Sequence, residues 1–150
     1  MSFEIVTLRN EILNNVIDED YLSAIFKIYS ELTDAKEISY ISLKNIVTQL
    51  PKKHEIYVYK YNDRPVGLIT LIVESKLIHS GGLVGHIEDL AVDREYRNMS
   101  IGKTLIQYCI DRCRSSGCYK VILNCNDELE KYYTKNNFLK TGNFMTYKIF

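Results

Sequence analysis

The sequence of 150 residues lacks the features that would mark a membrane protein or a nucleic-acid-binding protein. No apolar run approaches the roughly 18 residues that span a bilayer. The 19 basic and 19 acidic side chains give a formal net charge of zero. We therefore expect no nucleic-acid partner and no membrane insertion, so any recognition of phosphate must be local. The N-terminal segment MSFEIVTLRN has no basic start and no long apolar core, which predicts a cytoplasmic protein without a signal peptide.

Metal-binding spacing and internal repeats are also missing. The four cysteines include no C-x-x-C pair and have no matched histidines, so we expect thiols in a reducing compartment and no metal site. No repeat, low-complexity tract or linker rich in proline and glycine divides the chain. With 46% apolar and 25% charged residues, the chain is expected to fold as one domain over residues 1–150.

Hydrophobic periodicity predicts a mixed α/β fold with the order β-α-α-β-β-β-α-β-α-β. The predicted strands are residues 3–8, 56–61, 65–73, 83–92, 119–125 and 144–150. The predicted helices run from 18 or 20 to about 30, from 42 to 50, from 101 to 115 and from 127 to 135. Pro51 ends the second of these helices and Gly117 ends the third.

The most informative stretch is LVGHIEDLAVDREYRNMSIGKTL, residues 83–105. An apolar strand stops at Asp93, a short polar loop follows, and an amphipathic helix begins at about Ile101. A helix N-terminus presents unpaired N–H groups and the positive end of the helix dipole, so this unit is suited to bind anions. Gly102 lets the backbone come close to a ligand, and Arg97 and Lys103 add positive charge. The stretch therefore predicts a ligand that carries phosphate.

The order of elements and the Arg97-x-x-x-x-Gly102 loop after the fourth strand resemble the GNAT superfamily of acyl-CoA-dependent N-acyltransferases. The usual loop of that superfamily is Gln/Arg-x-x-Gly-x-Gly/Ala, and Ser100 stands here at the first glycine position. Further strings resemble the glucosamine-6-phosphate N-acetyltransferase branch, namely ESKLIH (74–79), GHIEDLAV (85–92), GCYKV (117–121), Leu32-Thr33 and Met145-x-x-Lys148.

That resemblance implies both a fold and a reaction. The fold is a mixed central sheet of about six to seven strands flanked by about four helices. The reaction is transfer of the acetyl group of acetyl-CoA to the 2-amino group of glucosamine 6-phosphate, by direct attack of the amine on the thioester and without a metal. The product would belong to the UDP-N-acetylglucosamine pathway.

The resemblance also implies where acetyl-CoA binds. Its pantetheine arm would pair with Leu90-Ala91-Val92 as an added strand would. Its pyrophosphate would lie on the following loop, formed by Arg97, Asn98, Met99, Ser100, Ile101, Gly102 and Lys103. Tyr132-Tyr133 occupies the aromatic-Tyr position of the family, which makes Tyr133 the acid for the departing CoA thiolate. Leu129 stands where asparagine is common, so one cofactor hydrogen bond would be lost or moved to Asn126.

Two adjacent carboxylates, Glu88 and Asp89, are the candidates for proton transfer. Carboxylates near the end of an apolar strand are costly unless they meet ligand or solvent. Successive strand residues point to opposite faces, so the two should have different roles. Either one could accept the amine proton, directly or through water, and the other could hold sugar hydroxyls. We favour Glu88 as the proton acceptor and Asp89 as the sugar anchor.

The rest of the sugar site is implied by the resemblance alone. Thr33 would complete it from the loop between the first helices. The candidates for binding the phosphate are Lys76, His79, Lys120 and Lys148, with Leu77, Ile78 and Tyr119 in the same strings. Lys148 stands where an arginine is common, and a lysine keeps the charge but loses the bidentate fork.

Two other functions and one feature of assembly stay open. The chain could be a GNAT enzyme for another amine, such as a protein N-terminus, a lysine or a polyamine. It could also be a sensor that binds acetyl-CoA without catalysis, which Ser100 and Leu129 would suggest. The resemblance further implies a homodimer whose last strands reach the sugar site across the interface. The apolar tail at residues 144–150 fits such burial, and Lys148 could serve either subunit.

Overall fold

The structure is a computed structural model that describes residues 2–150, and a five-stranded sheet with the order β1-β2-β3-β4-β5 lies at its centre. The strands are β1 (Phe3–Thr7), β2 (His54–Tyr61), β3 (Arg64–Ser75), β4 (Leu83–Val92) and β5 (Cys118–Leu123). Neighbouring strands from β1 to β4 are antiparallel, and β5 is parallel to β4. The helices are α1 (Leu8–Leu13), α2 (Glu19–Tyr29), α3 (Tyr40–Gln49), α4 (Ile78–Gly81), α5 (Ile101–Ser115) and α6 (Asp127–Lys135). A 3-10 segment, Arg94–Met99, joins β4 to α5.

Side-chain caps explain where several helices begin. The side chain of Asp18 accepts a hydrogen bond from the backbone N–H of Tyr21 at 2.8 Å, which fixes the start of α2. Ser39 caps α3 and Asn126 caps α6 in the same way. Gly117 follows α5 with a φ of 80°, the left-handed conformation that ends helices. The four predicted helices are therefore confirmed as α2, α3, α5 and α6.

The sheet is covered on both faces, and each face has its own apolar core. On one face α1, α2 and α3 pack on Val58, Leu68 and Ala91. On the other face α5 packs on a core that includes Ile69 and Ile87. Helix α5 comes very close to the sheet at Gly67, where an added Cβ would lie 2.8 Å from a methyl group of Ile101. The predicted mixed α/β class is confirmed.

The number of strands is lower than predicted. In residues 2–150 the sheet has five strands rather than six to seven. The predicted last strand, residues 144–150, is not a strand, and its large apolar side chains are at least 69% exposed. The composition of this tail favours an extended chain, but a strand needs a hydrogen-bonding neighbour, and the tail pairs with none of the five strands. Helices α1 and α4 were not predicted; α1 begins at Leu8, where the sequence predicted the end of β1.

Candidate active site

A β-bulge near the end of β4 shapes the site. Glu88 pairs with Thr70 of β3, whereas Ala91 pairs with Leu68, so two residues of β4 stand opposite one residue of β3. Asp89 is the first residue of the bulge and has a φ of 50°. Asp and Asn tolerate this left-handed conformation better than most other residues do. No local pattern in the sequence predicts the bulge.

The bulge reverses the alternation of side chains along β4. Ile87 packs in the core under α5, yet Ala91, four residues later, packs in the core under α2. A regular strand would place both side chains on the same face. Asp89 is consequently exposed and Glu88 is half-buried, so the two carboxylates occupy different environments.

Strands β4 and β5 separate just before the bulge. Their last paired residues are Ile87 and Leu123, although β4 continues to Val92. Within the described residues, the β5 side of β4 from Glu88 onward therefore has no partner strand. Backbone N–H and C=O groups at such an edge can pair with an extended ligand.

A cavity of about 440 Å³ opens where the two strands separate. It is lined by the end of α2 and the loop after it, by β4, by the end of β5 and by α6, through residues Tyr29, Leu32, Thr33, Ala35, Ile87, Glu88, Asp89, Leu90, Leu123, Asn124, Leu129 and Tyr133. The structure thus brings together five of the predicted site residues, Thr33, Glu88, Asp89, Leu90 and Tyr133. Thr33, the β4 residues and Tyr133 are far apart in sequence, and the packing of the loop after α2 and of α6 beside β4 makes them neighbours.

Two tyrosine hydroxyls in this cavity are strongly perturbed. Burial, followed by the neighbouring Tyr132 and Cys125, raises the pKa of Tyr133 to about 12. Burial, followed by the negative charge of Asp89, raises the pKa of Tyr29 to about 12, although a hydrogen bond with Thr70 opposes the shift. Both hydroxyls therefore stay protonated at neutral pH and can donate hydrogen bonds into the cavity.

The loop between β4 and α5 has the geometry of an anion site. Ser100 has a φ of 57°, which is why glycine suits this position. Its side chain does not cap α5, and the first turn of α5 carries no acidic residue, so the N-terminal N–H groups are open to a ligand. The hydroxyl of Tyr132 lies against Gly102, where an added Cβ would be 2.6 Å away. Lys103 is exposed, whereas the Ile101 side chain is buried in the core, which leaves Ile101 only a backbone role.

Arg97, expected to meet phosphate, has a protein partner. Its Nη2 donates a hydrogen bond to Glu31 Oε2 at 2.6 Å, and the arginine side chain is half exposed. Asn98 and Met99 are exposed at the end of the 3-10 segment. The contact between Glu31 and Arg97 was not predicted, because the two residues are far apart in sequence.

A second group of predicted residues lies at the other end of β4 and β5. Lys76 is bonded to Glu74 at 2.6 Å, the rings of His79 and Tyr119 are 4.6 Å apart, and Lys120 lies over the Tyr119 ring. Leu77 and Ile78 are exposed beside them. The register pairs Ser75 with Leu83 and Thr70 with Glu88, so five residues of strand, roughly 17 Å, separate the Lys76 end of this group from the cavity. Lys120 lies three residues before Leu123, the residue of β5 that lines the cavity. Within one chain these residues do not line the cavity.

Two other predicted residues lie outside the lining of the cavity. Lys148 is exposed in the C-terminal tail. Asn126 is engaged as the cap of α6, where its Oδ1 accepts a hydrogen bond from the backbone of Leu129 at 3.1 Å. Asn124, two residues earlier, lines the cavity instead. Tyr29 and Asn124 are therefore site residues that sequence reasoning missed, because neither stands in a recognised motif.

No group of three or more His, Cys, Asp or Glu side chains within residues 2–150 could hold a metal ion. In the same residues, no helix is long and apolar enough to cross a membrane.

A sheet that opens between two parallel strands beside an uncapped helix N-terminus agrees with the fold expected for acyl-CoA-dependent N-acyltransferases. The chain belongs to the acetyltransferase (GNAT) family, whose model matches residues 18–138. It is 34% identical over 126 residues to a glucosamine 6-phosphate N-acetyltransferase of Trypanosoma brucei brucei, an alignment that covers 82% of this chain and 86% of that protein. It is 32% identical over 127 residues to an enzyme of the same name from Candida albicans, covering 83% of this chain and 84% of the relative.

The fold agrees with these similarities. The crystal structure of glucosamine-6-phosphate N-acetyltransferase from Arabidopsis thaliana superposes with a TM-score of 0.83 and 25% identity, covering 99% of both chains. The family inferred from the loop and the sequence strings is confirmed, and so is the fold apart from its strand count.

Proposed function

We propose that this protein transfers the acetyl group of acetyl-CoA to the 2-amino group of glucosamine 6-phosphate, releasing CoA and N-acetylglucosamine 6-phosphate. The observation that carries the proposal is the cavity at the separation of β4 and β5, where the carboxylates of Glu88 and Asp89 share one site with the buried hydroxyl of Tyr133. The choice of acceptor is supported by the relatives named for this reaction. One catalytic domain formed by residues 1–150 performs the reaction.

The residues around the opening fit acetyl-CoA, which supplies the thioester. The unpaired edge of β4 at Leu90-Ala91-Val92 offers backbone partners to an extended amide-containing arm. The open N–H groups at the start of α5, together with Arg97 and Lys103, suit a pyrophosphate. The proposed cofactor contacts are therefore those backbone groups and the loop residues Arg97 to Lys103, flanked by Tyr132.

Glu88 and Asp89 have separate roles in this proposal. Glu88 is half-buried and accepts the proton of the attacking amine, directly or through one water. Asp89 is exposed at the mouth of the cavity and, together with Thr33, holds sugar hydroxyls. A backbone N–H at Leu90 or Ala91 donates to the thioester oxygen as that oxygen gains negative charge.

Tyr133 acts on the leaving group. Its hydroxyl is protonated at neutral pH, as a tyrosine ordinarily is, and burial raises its pKa further, to about 12. It can therefore donate a hydrogen bond or a proton to the CoA sulfur as the thioester breaks. No covalent acyl-enzyme is needed, since the amine attacks the thioester directly.

The phosphate end of the acceptor requires a second copy of the chain in this proposal. The basic and aromatic group formed by Lys76, Leu77, Ile78, His79, Tyr119 and Lys120 does not line the cavity of its own chain. The C-terminal tail with Lys148 presents exposed apolar side chains and no strand pairing. We infer a homodimer in which these two surfaces complete the cavity of the partner.

A mixing experiment tests this arrangement. Glu88→Gln and Lys148→Ala homodimers should each have low activity. Exchange of subunits between them should restore part of it, because one hybrid site then has both native residues. Molar mass from light scattering gives the control for dimer formation. No recovery after verified exchange would place Lys148 in the site of its own subunit, and a monomer would end the dimer proposal.

The compartment and the pathway complete the proposal. A cytoplasmic location is supported by cysteine side chains present as free thiols. In that compartment the product would supply the synthesis of UDP-N-acetylglucosamine.

A thiol-release assay with acetyl-CoA tests the reaction itself. Glucosamine 6-phosphate, glucosamine and spermidine are compared as acceptors. Preference for the phosphosugar supports both the reaction and a basic phosphate site. Activity on spermidine alone would keep the family but reassign the acceptor. Acetyl-CoA binding without transfer to any of the three would favour a sensor.

A further inference from the structure

Glu31 links the loop after α2, which lines the cavity, to the 3-10 segment before α5. Its Oε2 accepts a hydrogen bond from Arg97 Nη2 at 2.6 Å, and Arg94 Nη2 lies 3.4 Å from the same oxygen. The Glu31 side chain is 15% exposed, whereas that of Arg97 is 50% exposed. A carboxylate that has lost most of its water needs cationic partners, so the glutamate is the fixed member of the pair.

The position of Glu31 in the chain shows which two segments this contact joins. Glu31 directly precedes Leu32 and Thr33, which line the acceptor side of the cavity. Arg97 lies in the segment that leads to Ser100 and the start of α5, on the cofactor side. The ion pair therefore connects the loop after α2 with the loop before α5. A bond between Lys27 and Asp93, at 3.0 Å, joins the same two parts of the chain one turn earlier in α2.

We propose that Glu31 is a positioning residue that couples the acceptor wall to the cofactor loop, an inference that rests on the proposed acetyl transfer. A guanidinium has five N–H donors in a planar fork. The hydrogen bond to Glu31 uses one of the N–H donors of Arg97. It thereby orients the other donors of Arg97 toward the anion site beside α5. The same contact holds Leu32 and Thr33 against that loop. Loss of Arg97 therefore weakens binding of the acceptor amine as well as binding of acetyl-CoA.

An exposed ion pair on the surface would not couple the binding of two substrates in this way. Arg114 and Asp111, at the far end of α5, are also 2.6 Å apart, but their side chains are 71% and 56% exposed. Exposed pairs contribute little because water screens them and side-chain entropy opposes them. This pair provides matched controls for both members of the Glu31–Arg97 pair.

The test is a double-mutant cycle on the wild-type background. Acetyl transfer to glucosamine 6-phosphate by the unmodified protein is measured first. KM for each substrate and kcat are then determined for Glu31→Gln, Arg97→Gln and the double variant. We expect each single variant to raise both KM values by about 5- to 20-fold and to change kcat far less. The double variant should match Arg97→Gln, because Glu31 acts through that arginine. Asp111→Asn and Arg114→Gln should leave both KM values unchanged.

Two results would overturn the coupling. One is an acceptor KM that Arg97→Gln leaves unchanged. The other is multiplication of the two single effects in the double variant. Glu31→Asp, which keeps the charge, replaces Glu31→Gln if that protein does not fold. If the wild-type protein fails to acetylate glucosamine 6-phosphate, the proposed function fails. The Kd of acetyl-CoA is then measured by calorimetry for the wild type, the two single variants and the double variant. Independent effects on that Kd would contradict the role of Glu31.

Discussion

Tyr133 combines burial with access to the cavity. It packs against Phe138 and Tyr132 in edge-to-face contacts, with ring centroids 6.0 and 5.2 Å away, and it also lines the site. A hydroxyl held in this way is positioned for one direction of hydrogen bonding, because its ring cannot easily change rotamer in a packed core. This rigidity supports the proposal that Tyr133 donates a hydrogen bond or a proton to the departing CoA sulfur.

Replacing Tyr133 with phenylalanine should therefore lower kcat and leave binding intact. We expect a fall in kcat of about 10- to 100-fold, with little change in either KM. Since the pKa of Tyr133 is raised to about 12, the wild-type rate should show no loss from this group below about pH 11. Steady-state kinetics over a range of pH provide the check. Tyr108→Phe, at the middle of α5 and outside the lining of the cavity, is the control, and equal turnover in both variants would remove Tyr133 from the mechanism.

The residues that sequence reasoning found share one property. Glu88, Asp89 and Tyr133 stand in short strings typical of a family, so their chemistry and their neighbours in sequence identified them together. Tyr29 and Glu31 have no such string. Their importance depends on how α2 packs beside β4, which is a long-range contact that local sequence does not encode.

At the scale of elements, the loop before α5 carries a strain that can be measured. Ser100 adopts a φ of 57° as the first residue flanking the helix. A side chain in the left-handed region costs about 1 kcal/mol or more, and glycine avoids this cost.

Ser100→Gly is therefore expected to raise the free energy of unfolding by about 0.5–1 kcal/mol, with acetyl-CoA affinity retained. Ser116→Gly is the matched control, because Ser116 caps the other end of α5 with a φ of −84°. It should bring no gain. Urea unfolding of both variants measures the difference, and a loss of stability in Ser100→Gly would show that the left-handed conformation is not a source of strain.

Local sequence patterns predict some of the secondary-structure elements and not others. Helices α2, α3, α5 and α6 could be predicted because caps, apolar faces and stop residues lie within each segment. The strand order and the opening between β4 and β5 could not be predicted in this way, because they depend on pairing between strands that are distant in sequence. The tail at residues 144–150 has the composition of a strand, but pairing needs a neighbour that composition does not supply. The bulge at Asp89 was missed for the same reason.

Across the molecule as a whole, contacts between α2 and the end of β4 fix the positions of these two elements on either side of the site. Asp93 is only 2% exposed and accepts a hydrogen bond from Lys27 at 3.0 Å. Burial opposes ionisation of Asp93, but the bonds from Lys27 and from the backbone of Glu95 outweigh burial, so the pKa of Asp93 is lowered. A carboxyl whose folded-state pKa is lowered stabilises the fold above its unfolded pKa, and this contribution disappears as the pH falls through the folded pKa.

Asp93→Asn should therefore destabilise the protein at neutral pH by about 1–2 kcal/mol. The difference from wild type should be constant above about pH 4, near the ordinary pKa of aspartate, and should shrink below it. Urea unfolding at pH 7 and at pH 3 provides the comparison. Asp111→Asn, which removes an exposed carboxylate, should differ little from wild type at either pH. A difference for Asp93→Asn that persists unchanged at pH 3 would contradict this account of the bond.

The role of Glu88 is tested by the turnover of Glu88→Gln with acetyl-CoA and glucosamine 6-phosphate. If Glu88 accepts the proton of the amine in the cavity between β4 and β5, kcat/KM should fall about 10²- to 10⁴-fold, while the Kd of acetyl-CoA stays near that of wild type. Glu19→Gln, at an exposed position at the start of α2, should retain full activity. Wild-type turnover in Glu88→Gln would contradict the account and move the chemistry away from this carboxylate.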